Sequence, residues 1–336
     1  MTPHSKDDYL KRKIKAFNVK NVNDIEDLLY ALKECSFQGR NLGLALDILE
    51  KMCTDKKILT VLTLSGAMVP AGMGELICVL IEKKLIDVIV STGANIIHDF
   101  VDACTDIGHY IGNINVSDED LHKLKINRIY DTFLPEDNYD IAEKQLLKII
   151  KTIFIEKIIH ITPSELLRKI GEKIENRSIL SIASKYNVPL FVPAFSDSEF
   201  ALNLIKYVVT DGYDFQFDIL GDVQKFAGII KKAKETGTII IGGGVPRNWA
   251  QQVFPLLEQL DKRISRGYDY SIRIHTALEY DGGLSGCTIS ESKSWGKYSI
   301  DAKYASVWCD ATIAFPLLVT GLLQRLKKSE VVGNPR

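Results

Sequence analysis

One pattern recurs along most of the chain: a short aliphatic segment, a turn of small residues, and then a segment in which apolar residues follow helical spacing. The aliphatic segment Ile58–Leu64 precedes a turn at residues 65–67, and residues 86–91 precede a turn at 92–94. Strands and helices that alternate in this order pair their strands in parallel through right-handed crossovers. The pattern therefore predicts an α/β fold with a doubly wound sheet of about six or more parallel strands and helices on both faces.

The pattern returns in the second half of the chain. Aliphatic segments at residues 188–193, 238–241, Tyr268–His275 and 304–309 are predicted strands. Residues 135–187 carry periodic Ile and Leu and are predicted to be mostly helical. Additional helices are expected before the first strand.

The chain contains no stretch with the composition of a linker. Its 336 residues are enough for two domains, but without a linker we expect one. The expected arrangement is a single catalytic domain over residues 21–330, with a polar extension at 1–20 and a short tail at 331–336.

Positive and negative side chains are balanced: Lys and Arg total 42, Asp and Glu total 43, and the net charge is -1. This balance gives no electrostatic reason to expect binding to nucleic acid or to an anionic membrane. Residues 1–20 lack the basic-then-apolar order of a signal peptide, and the apolar run 311–323 is shorter than the roughly 20 residues of a membrane span. The 6 cysteines form no C-x-x-C pair, which is typical of reduced thiols. We expect a cytoplasmic protein with no metal site.

Small-residue turns follow four of the predicted strands, at residues 65–67, 92–94, 242–244 and 276–277. In a doubly wound sheet, ligands bind at the carboxyl ends of the strands, where these turns fall. The glycine triplet 242–244 lets the backbone approach a ligand closely, and the helix after it directs N–H groups at an anion such as a pyrophosphate. The triplet is not a G-x-G-x-x-G fingerprint and by itself is compatible with a tight turn. Several such turns on one edge favour a nucleotide.

Lys297 lies in the sequence Ser-Trp-Gly-Lys at 294–297 and is a candidate imine-forming nucleophile. A solvated surface lysine is the alternative. Asp218 and Asp222 are four residues apart, which on a helix lets both face one cleft. Together with Asp281, Glu291 and Asp310 they would attract a polycation. Trp295 could add cation–π attraction, or it could pack in the core.

At these residues the chain resembles the deoxyhypusine synthase family over about residues 39–325. The resemblance is carried by seven ordered segments, at residues 39–43, 65–72, 91–95, 242–246, 284–286, 294–297 and 310–318. It implies a Rossmann-like fold, an NAD-dependent aminobutyltransferase activity, and usually a homotetramer with active sites between paired subunits.

The chemistry implied by the resemblance begins when NAD+ takes a hydride from the carbon beside the secondary amine of spermidine. The resulting imine releases 1,3-diaminopropane, the butyl-imine passes to Lys297 and then to an acceptor amine, and the retained NADH reduces it. Lys297 must be neutral to attack, and lowering a lysine pKa from about 10.4 to near 7 costs roughly 4 to 5 kcal/mol, available through burial.

Site residues carry over by position. Catalytic positions are Lys297, His98 and Asn248. NAD contacts are implied for Ser65, Gly66, Thr92, Gly93, Ala94, Asp218, Gly242, Gly243, Thr276, Ala277, Asp281, Ser285, Asp310 and Ala311. Polyamine contacts are implied for Asp222, Gln252, Glu291 and Trp295.

Four positions depart from the eukaryotic members of the family. Asn248 stands in place of a histidine, Gln252 of an asparagine, His98 of a glutamate and Leu284 of an aspartate. An amide cannot accept a proton at neutral pH, so the base is expected to be His98 or Asp222.

Residues 96–99 and 283–288 look more like the prokaryotic branch of the family. The leading hypothesis is transfer to a lysine of the translation factor 5A precursor. One alternative is a homospermidine synthase-like enzyme in which putrescine or another small amine accepts the butyl group. A second alternative is a catalytically silent subunit that pairs with an active paralogue.

Overall fold

The structure is a computed structural model that describes residues 6–262 and 266–333, with side chains omitted for residues 7, 8 and 330–333. Residues 1–5 of the expected extension and 334–336 of the expected tail lie outside the described part.

Within the described residues, helices and strands alternate along most of the chain. The strands are β1 (Ile58–Leu64), β2 (Val88–Ser91), β3 (Tyr110–Ile111), β4 (Ile126–Ile129), β5 (Thr132–Pro135), β6 (Ile158–Ile161), β7 (Leu190–Phe191), β8 (Asp214–Phe217), β9 (Glu235–Ile241), β10 (Tyr268–His275) and β11 (Tyr298–Trp308). The α-helices are α1 (Lys6–Tyr9), α2 (Ile25–Lys33), α3 (Phe37–Thr54), α4 (Gly74–Glu82), α5 (Gly93–Cys104), α6 (Asp118–Lys123), α7 (Asp137–Ile153), α8 (Pro163–Gly171), α9 (Ile179–Tyr186), α10 (Glu199–Asp211), α11 (Ile219–Lys232), α12 (Gly244–Leu260), α13 (Ile289–Ser294) and α14 (Ala311–Gly333). Two short 3-10 helices span Val19–Asn21 and Leu284–Gly286.

Six strands form the main sheet in the order β11-β10-β9-β1-β2-β7, and every neighbouring pair is parallel. The predicted doubly wound α/β fold is therefore confirmed. The order is not sequential because the chain adds β2 and β7 on one side of β1 and then returns to add β9, β10 and β11 on the other side, with helices in the crossovers.

Alternate residues of the central strand β1 enter two different cores. Leu62 and Leu64 pack in a cluster with apolar residues of α3 and α14, whereas Val61 packs in a second cluster with α11 and α12. Successive side chains of a strand point to opposite faces, so helices cover both faces of the sheet. Helices α2 and α3 precede β1 and pack against α14, which confirms the additional N-terminal helices.

Two smaller sheets were not predicted. Strands β6 and β8 form a parallel pair, and β3, β5 and β4 form an antiparallel sheet. The prediction that residues 135–187 are mostly helical is correct for α7, α8 and α9 but missed β6. A four-residue strand surrounded by periodic Ile and Leu carries little period-2 signal of its own.

The last strand is longer than predicted. It begins at Tyr298 rather than near residue 304, and a register irregularity between Tyr268 and Tyr270 of β10 accommodates the extra length. Lys297 therefore stands at the start of a strand. No helix in the described part of the chain combines the length and apolar character needed to cross a bilayer.

Candidate active site

The turns after five neighbouring strands lie side by side at the carboxyl edge of the main sheet. Backbone hydrogen bonds continue one residue beyond the strands: Thr92 N donates to Leu64 O (3.1 Å) and Ser65 N to Ile241 O (3.1 Å). Gly242 N donates in the same way to the carbonyl of Ile274 (2.8 Å). The turns after β2, β1, β9, β10 and β11 thus begin at the same level, which brings together most of the residues predicted to contact a cofactor.

The glycine triplet packs against the loop that precedes α13. A Cβ atom at Gly243 would lie 2.9 Å from Ser285 Oγ and 3.1 Å from its Cα, and Gly244 N donates to Ser285 Oγ (3.1 Å). Gly242 has a φ of +79, a backbone conformation that favours glycine. The triplet is therefore needed for packing within the chain, independently of any ligand.

Arg273 fixes that loop to the triplet, and sequence reasoning missed it. Its guanidinium is buried and donates to the carbonyls of Gly242 (3.1 Å), Cys287 (2.8 Å) and Ser285. Because three backbone carbonyls accept from one planar group, the relative position of the two segments is well defined. A charged residue inside the apolar strand Tyr268–His275 was the available signal.

The side chain of Lys297 is buried, with only 8% of its surface exposed. Its Nζ donates to Asn248 Oδ1 at 2.9 Å and lies 5.8 Å from the centre of the Trp295 ring. Asn248 belongs to α12, the helix that begins at Gly244. One helix thus connects the amine with the glycine triplet, and the solvated-surface alternative for Lys297 is wrong within this protomer.

The amine has no charged partner. Among the described residues no carboxylate forms an ion pair with Lys297 Nζ, although Glu291 lies on the neighbouring helix α13. Burial lowers the pKa of Lys297 from its ordinary value, because an ammonium loses its hydration in such a pocket.

The residues predicted to bind a polyamine lie in different surroundings. Trp295 is 65% exposed, so the core-packing alternative does not hold in this protomer. Glu291 is exposed on α13, close to the Lys297 pocket. Gln252 is exposed one turn beyond Asn248 and lines a surface cleft with Trp249 rather than contacting Lys297.

Asp218 and Asp222 differ in burial and in hydrogen-bond partners. Asp218 is the N-cap of α11, with non-helical backbone angles, and its exposed carboxylate accepts from Gly221 N (2.7 Å). Asp222 is buried and accepts from Ser164 N (3.0 Å) and Ser164 Oγ (2.5 Å) at the start of α8. Because the first aspartate precedes the helix, the four-residue spacing does not by itself place both side chains on one helix face.

His98 lies in the interior of α5 and is joined to two residues that sequence reasoning missed. Its Nδ1 is 2.9 Å from His109 Nε2, and His109 Nδ1 is 2.7 Å from Asp102 Oδ1. Burial lowers the pKa of His98 to about 4, so the ring is uncharged at neutral pH. Asp102 stands four residues after His98, a spacing that places both on one helix face.

Two predicted acids also stabilise their own turns. Asp281 accepts from Gly283 N (3.0 Å), and Asp310 accepts from Thr312 N (2.8 Å). Both are exposed at or beside the carboxyl edge, where their remaining oxygens are open to a ligand.

A parallel sheet whose carboxyl edge carries small-residue turns and helix N-termini places the chain in the class of doubly wound α/β proteins. The sequence profile of the family described as deoxyhypusine synthase matches residues 27–322, and the chain therefore belongs to the deoxyhypusine synthase family, a family of transferases.

Similarity to individual proteins supports membership of this family. "Probable deoxyhypusine synthase 2" of Archaeoglobus fulgidus is 39% identical over 85% of this chain and 94% of its own length. "Probable deoxyhypusine synthase 2" of Methanosarcina acetivorans is 36% identical over 92% of this chain and 89% of its own length. A crystal structure of a "putative deoxyhypusine synthase" from Entamoeba histolytica has a TM-score of 0.64 at 20% identity and covers 93% of this chain and 97% of that one; it supports the fold.

Proposed function

We propose that the protein transfers an aminobutyl group from spermidine, through an imine on Lys297, to a lysine of the translation factor 5A precursor in an NAD-dependent reaction. One observation carries the proposal: a buried lysine amine, with no carboxylate partner among the residues that the structure describes, is held by Asn248 on the helix that begins at the glycine triplet. Such an amine is the group that imine chemistry requires.

The carboxyl edge fits a dinucleotide by its shape and its donors. At Gly66 (φ +75) a Cβ would meet only the Met68 Cε within 4 Å, and Ala94 is exposed at the start of α5, so the edge between β1 and β2 is open. Exposed Asp281 and Asp310 offer acceptors for ribose hydroxyls. The residues that would hold NAD are Ser65, Gly66, Thr92, Gly93, Ala94, Asp218, Gly242, Gly243, Thr276, Ala277, Asp281, Ser285, Asp310 and Ala311. When bound, NAD would accept a hydride and later return it.

Lys297 performs the transfer. Its neutral amine attacks the imine carbon of the four-carbon fragment, and the former imine nitrogen takes up the two protons that Nζ loses. 1,3-Diaminopropane then leaves with the electron pair of the broken C–N bond, and a new C=N bond joins the fragment to Nζ. Asn248 Oδ1 accepts one N–H of the amine and so directs the nitrogen lone pair away from α12. Burial excludes the water that would hydrolyse the imine before the acceptor amine displaces Lys297.

His98 is a better candidate than Asp222 for the base that accepts the proton from spermidine. Asp102 accepts from His109 Nδ1–H, His109 Nε2 then accepts from His98 Nδ1–H, and the lone pair of His98 remains at Nε2. That nitrogen has no partner among the described residues. Both oxygens of Asp222 already accept from Ser164.

Glu291 and Trp295 flank the lysine and are suited to the cationic ends of spermidine through charge and the ring face. Asp218 and Asp222 have no contact with Lys297 among the described residues. A homotetramer with active sites between paired subunits, as the family resemblance implies, lets these two aspartates serve the Lys297 of another copy.

A mixed-subunit experiment tests this arrangement. Subunits carrying Lys297→Ala and subunits carrying Asp222→Asn are assembled together with different tags, and each variant alone is expected to be inactive. Recovery of transfer in the mixed assembly supports sites built from two copies. No recovery would mean that both residues of a site come from one chain, and an active Asp222→Asn enzyme would remove Asp222 from the substrate site.

The acceptor is tested by incubating the protein with NAD+, spermidine labelled in its butyl carbons, and either the factor precursor or putrescine. Label on one lysine of the precursor, identified by mass spectrometry, is the expected result. Label only in a small triamine would instead establish the homospermidine synthase-like activity. Failure of the protein alone to release 1,3-diaminopropane would favour the silent-subunit alternative.

A further inference from the structure

Arg247 is a buried cation in the first turn of α12, with 2% of its surface exposed. Its Nη2 donates to Ser292 Oγ at 3.0 Å. Its Nε and Nη1 are buried and have no hydrogen-bond partner among the described residues. Because guanidinium groups stay protonated in proteins, an uncompensated positive charge is fixed inside the molecule.

This cation is held next to Lys297 from two sides. The Ser292 hydroxyl binds Arg247, while the Ser292 carbonyl accepts from Lys297 N (3.2 Å). The residue after Arg247 is Asn248, whose Oδ1 accepts from Lys297 Nζ. Ser292 on α13 thus contacts both the Arg247 guanidinium and the backbone of Lys297, and the charge of Arg247 is felt at the Lys297 amine.

The other charged groups around the pocket do not neutralise Arg247. Arg273 of β10 is a second buried guanidinium, and its pKa is lowered to about 10, first by burial and then by the charge of Arg247. Neither arginine forms an ion pair with a carboxylate in the described part of the chain. The acids nearby are Glu291 on α13 and Glu258 on α12, with Oε2 of Glu258 3.6 Å from the position of a Cβ at Gly296. The other titratable groups around the two arginines are Cys287, Tyr298 and His275.

We propose that Arg247 is a positioning residue for Lys297, whose unpaired buried charge keeps the neighbouring amine in its neutral, nucleophilic form. The inference deepens the proposed function and rests on it for the role of Lys297.

The physical basis is repulsion between like charges in a poorly hydrated pocket. Protonation of Lys297 would place a second positive charge beside a cation that cannot give up its own proton. Burial is the largest cause of the lowered pKa of Lys297; the opposing effect of Cys287 comes next, then Arg247, which acts in the same direction as burial, and last Glu291, which opposes it. An amine beside a fixed cation is a known way to obtain an imine-forming lysine at neutral pH.

The test measures the protonation of Lys297 without any reaction. The full-length protein is labelled with trace acetic anhydride across a range of pH values, and acetylation of each lysine peptide is quantified by mass spectrometry. Exposed Lys303 serves as the internal reference. The variants are Arg247→Met and Arg247→Gln, which remove the charge and keep an unbranched side chain. Arg168→Met, which removes an exposed arginine outside the pocket, is the matched control.

In the wild type the labelling midpoint of Lys297 is expected to lie below that of Lys303. Both neutral variants should raise the labelling midpoint of Lys297 by about one pH unit, which is a roughly tenfold loss of acetylation rate at pH values below the midpoint. Arg168→Met should leave it close to the wild-type value. Unchanged midpoints in whichever neutral variant folds would overturn the proposal.

The labelling result is independent of spermidine, cofactor and acceptor. A depressed midpoint that depends on Arg247, in a protein that transfers nothing, would contradict the proposed function and leave this inference intact. Transfer through Lys297, together with a Lys297 labelling midpoint that does not change in the Arg247 variants, would support the proposed function and overturn this inference.

Discussion

Lys297 and Asp222 are both buried, and both side chains carry a charge when they are free in water, yet their surroundings in the fold differ. Lys297 is 8% exposed and binds one neutral amide oxygen, whereas Asp222 is 5% exposed and accepts two hydrogen bonds from Ser164. Lys225 Nζ also donates to Ser164 Oγ (3.1 Å), so a positive charge completes the network around the carboxylate. The carboxylate therefore has an opposite charge in its hydrogen-bond network, whereas the amine has none among the described residues.

The two buried groups therefore have opposite expected effects on the stability of the fold. A buried ammonium without a carboxylate lowers stability and is expected where the neutral form is used. A buried carboxylate with two donors, one of them a backbone N–H at a helix N-terminus, stabilises the packing of α8 on α11. Any contribution of Asp222 to substrate binding would have to be made in addition to this packing role.

The largest effect is expected for Lys297→Met. Loss of the nucleophile should reduce release of 1,3-diaminopropane by at least about 10³-fold. Stability at pH 7 should stay the same or rise by up to about 1 kcal/mol, because the lowered pKa means that the charged form is disfavoured in the folded state. Denaturant unfolding measures the second effect, with exposed Lys303→Met as control. A marked loss of stability would show that the amine supports the fold.

Placing an opposite charge at hydrogen-bond distance from the Lys297 amine should slow the reaction. In Asn248→Asp a carboxylate replaces the amide oxygen that now accepts from Nζ. An opposite charge at hydrogen-bond distance favours the ammonium, so the rate at pH 7 should fall about 10- to 100-fold and recover in part at higher pH. Asn248→Ala, which adds no charge, is the control, and an equal loss at every pH in both variants would contradict the electrostatic explanation.

Asp222→Asn should destabilise the protein by about 1–3 kcal/mol, since a charge-assisted network is replaced by a neutral amide at a helix N-terminus. Urea unfolding of this variant and of Ser164→Ala should show losses of similar size. If Asp222→Asn unfolds like the wild type and only spermidine binding weakens, the carboxylate serves the substrate instead of the fold.

The smallest effect at neutral pH concerns His98, a third buried titratable group, because its ring is uncharged there. Its pKa is lowered to about 4 by burial, below its ordinary value near 6.5. The folded state therefore binds fewer protons than the unfolded state between these values. The stability due to this lowering is present above pH 6.5 and is lost as pH falls toward 4. The free energy of unfolding of the wild type, relative to His98→Gln, should decrease by about 1–3 kcal/mol over that range. A difference that does not vary with pH would mean that His98 is protonated as easily in the folded state as in the unfolded chain.

The carboxyl edge of the sheet was predictable because strand period and turn composition are local. Ile58–Leu64 and the turn after it needed no tertiary information, and the same holds for the glycine triplet. The start of β11 was missed because residues 298–303 mix exposed polar and buried apolar side chains without a clear alternation. The surroundings of Lys297 therefore could not be derived from its neighbours in sequence.

The partners of the buried charges were the least predictable part of the site. The partners of Arg247 and Arg273 are evident only when α12, α13 and β10 are packed together, and His109 reaches His98 across a turn. Conversely, the pairing of Asp218 with Asp222 on one face relied on helical spacing, which the N-cap position of Asp218 breaks.

Trapping the covalent fragment tests the account most directly. The protein is incubated with NAD+ and spermidine, treated with borohydride, digested and mapped by mass spectrometry. The account predicts one aminobutyl adduct, on the peptide that contains Lys297, and its absence in Lys297→Met. An adduct on another residue, or release of 1,3-diaminopropane with no adduct at Lys297, would contradict it.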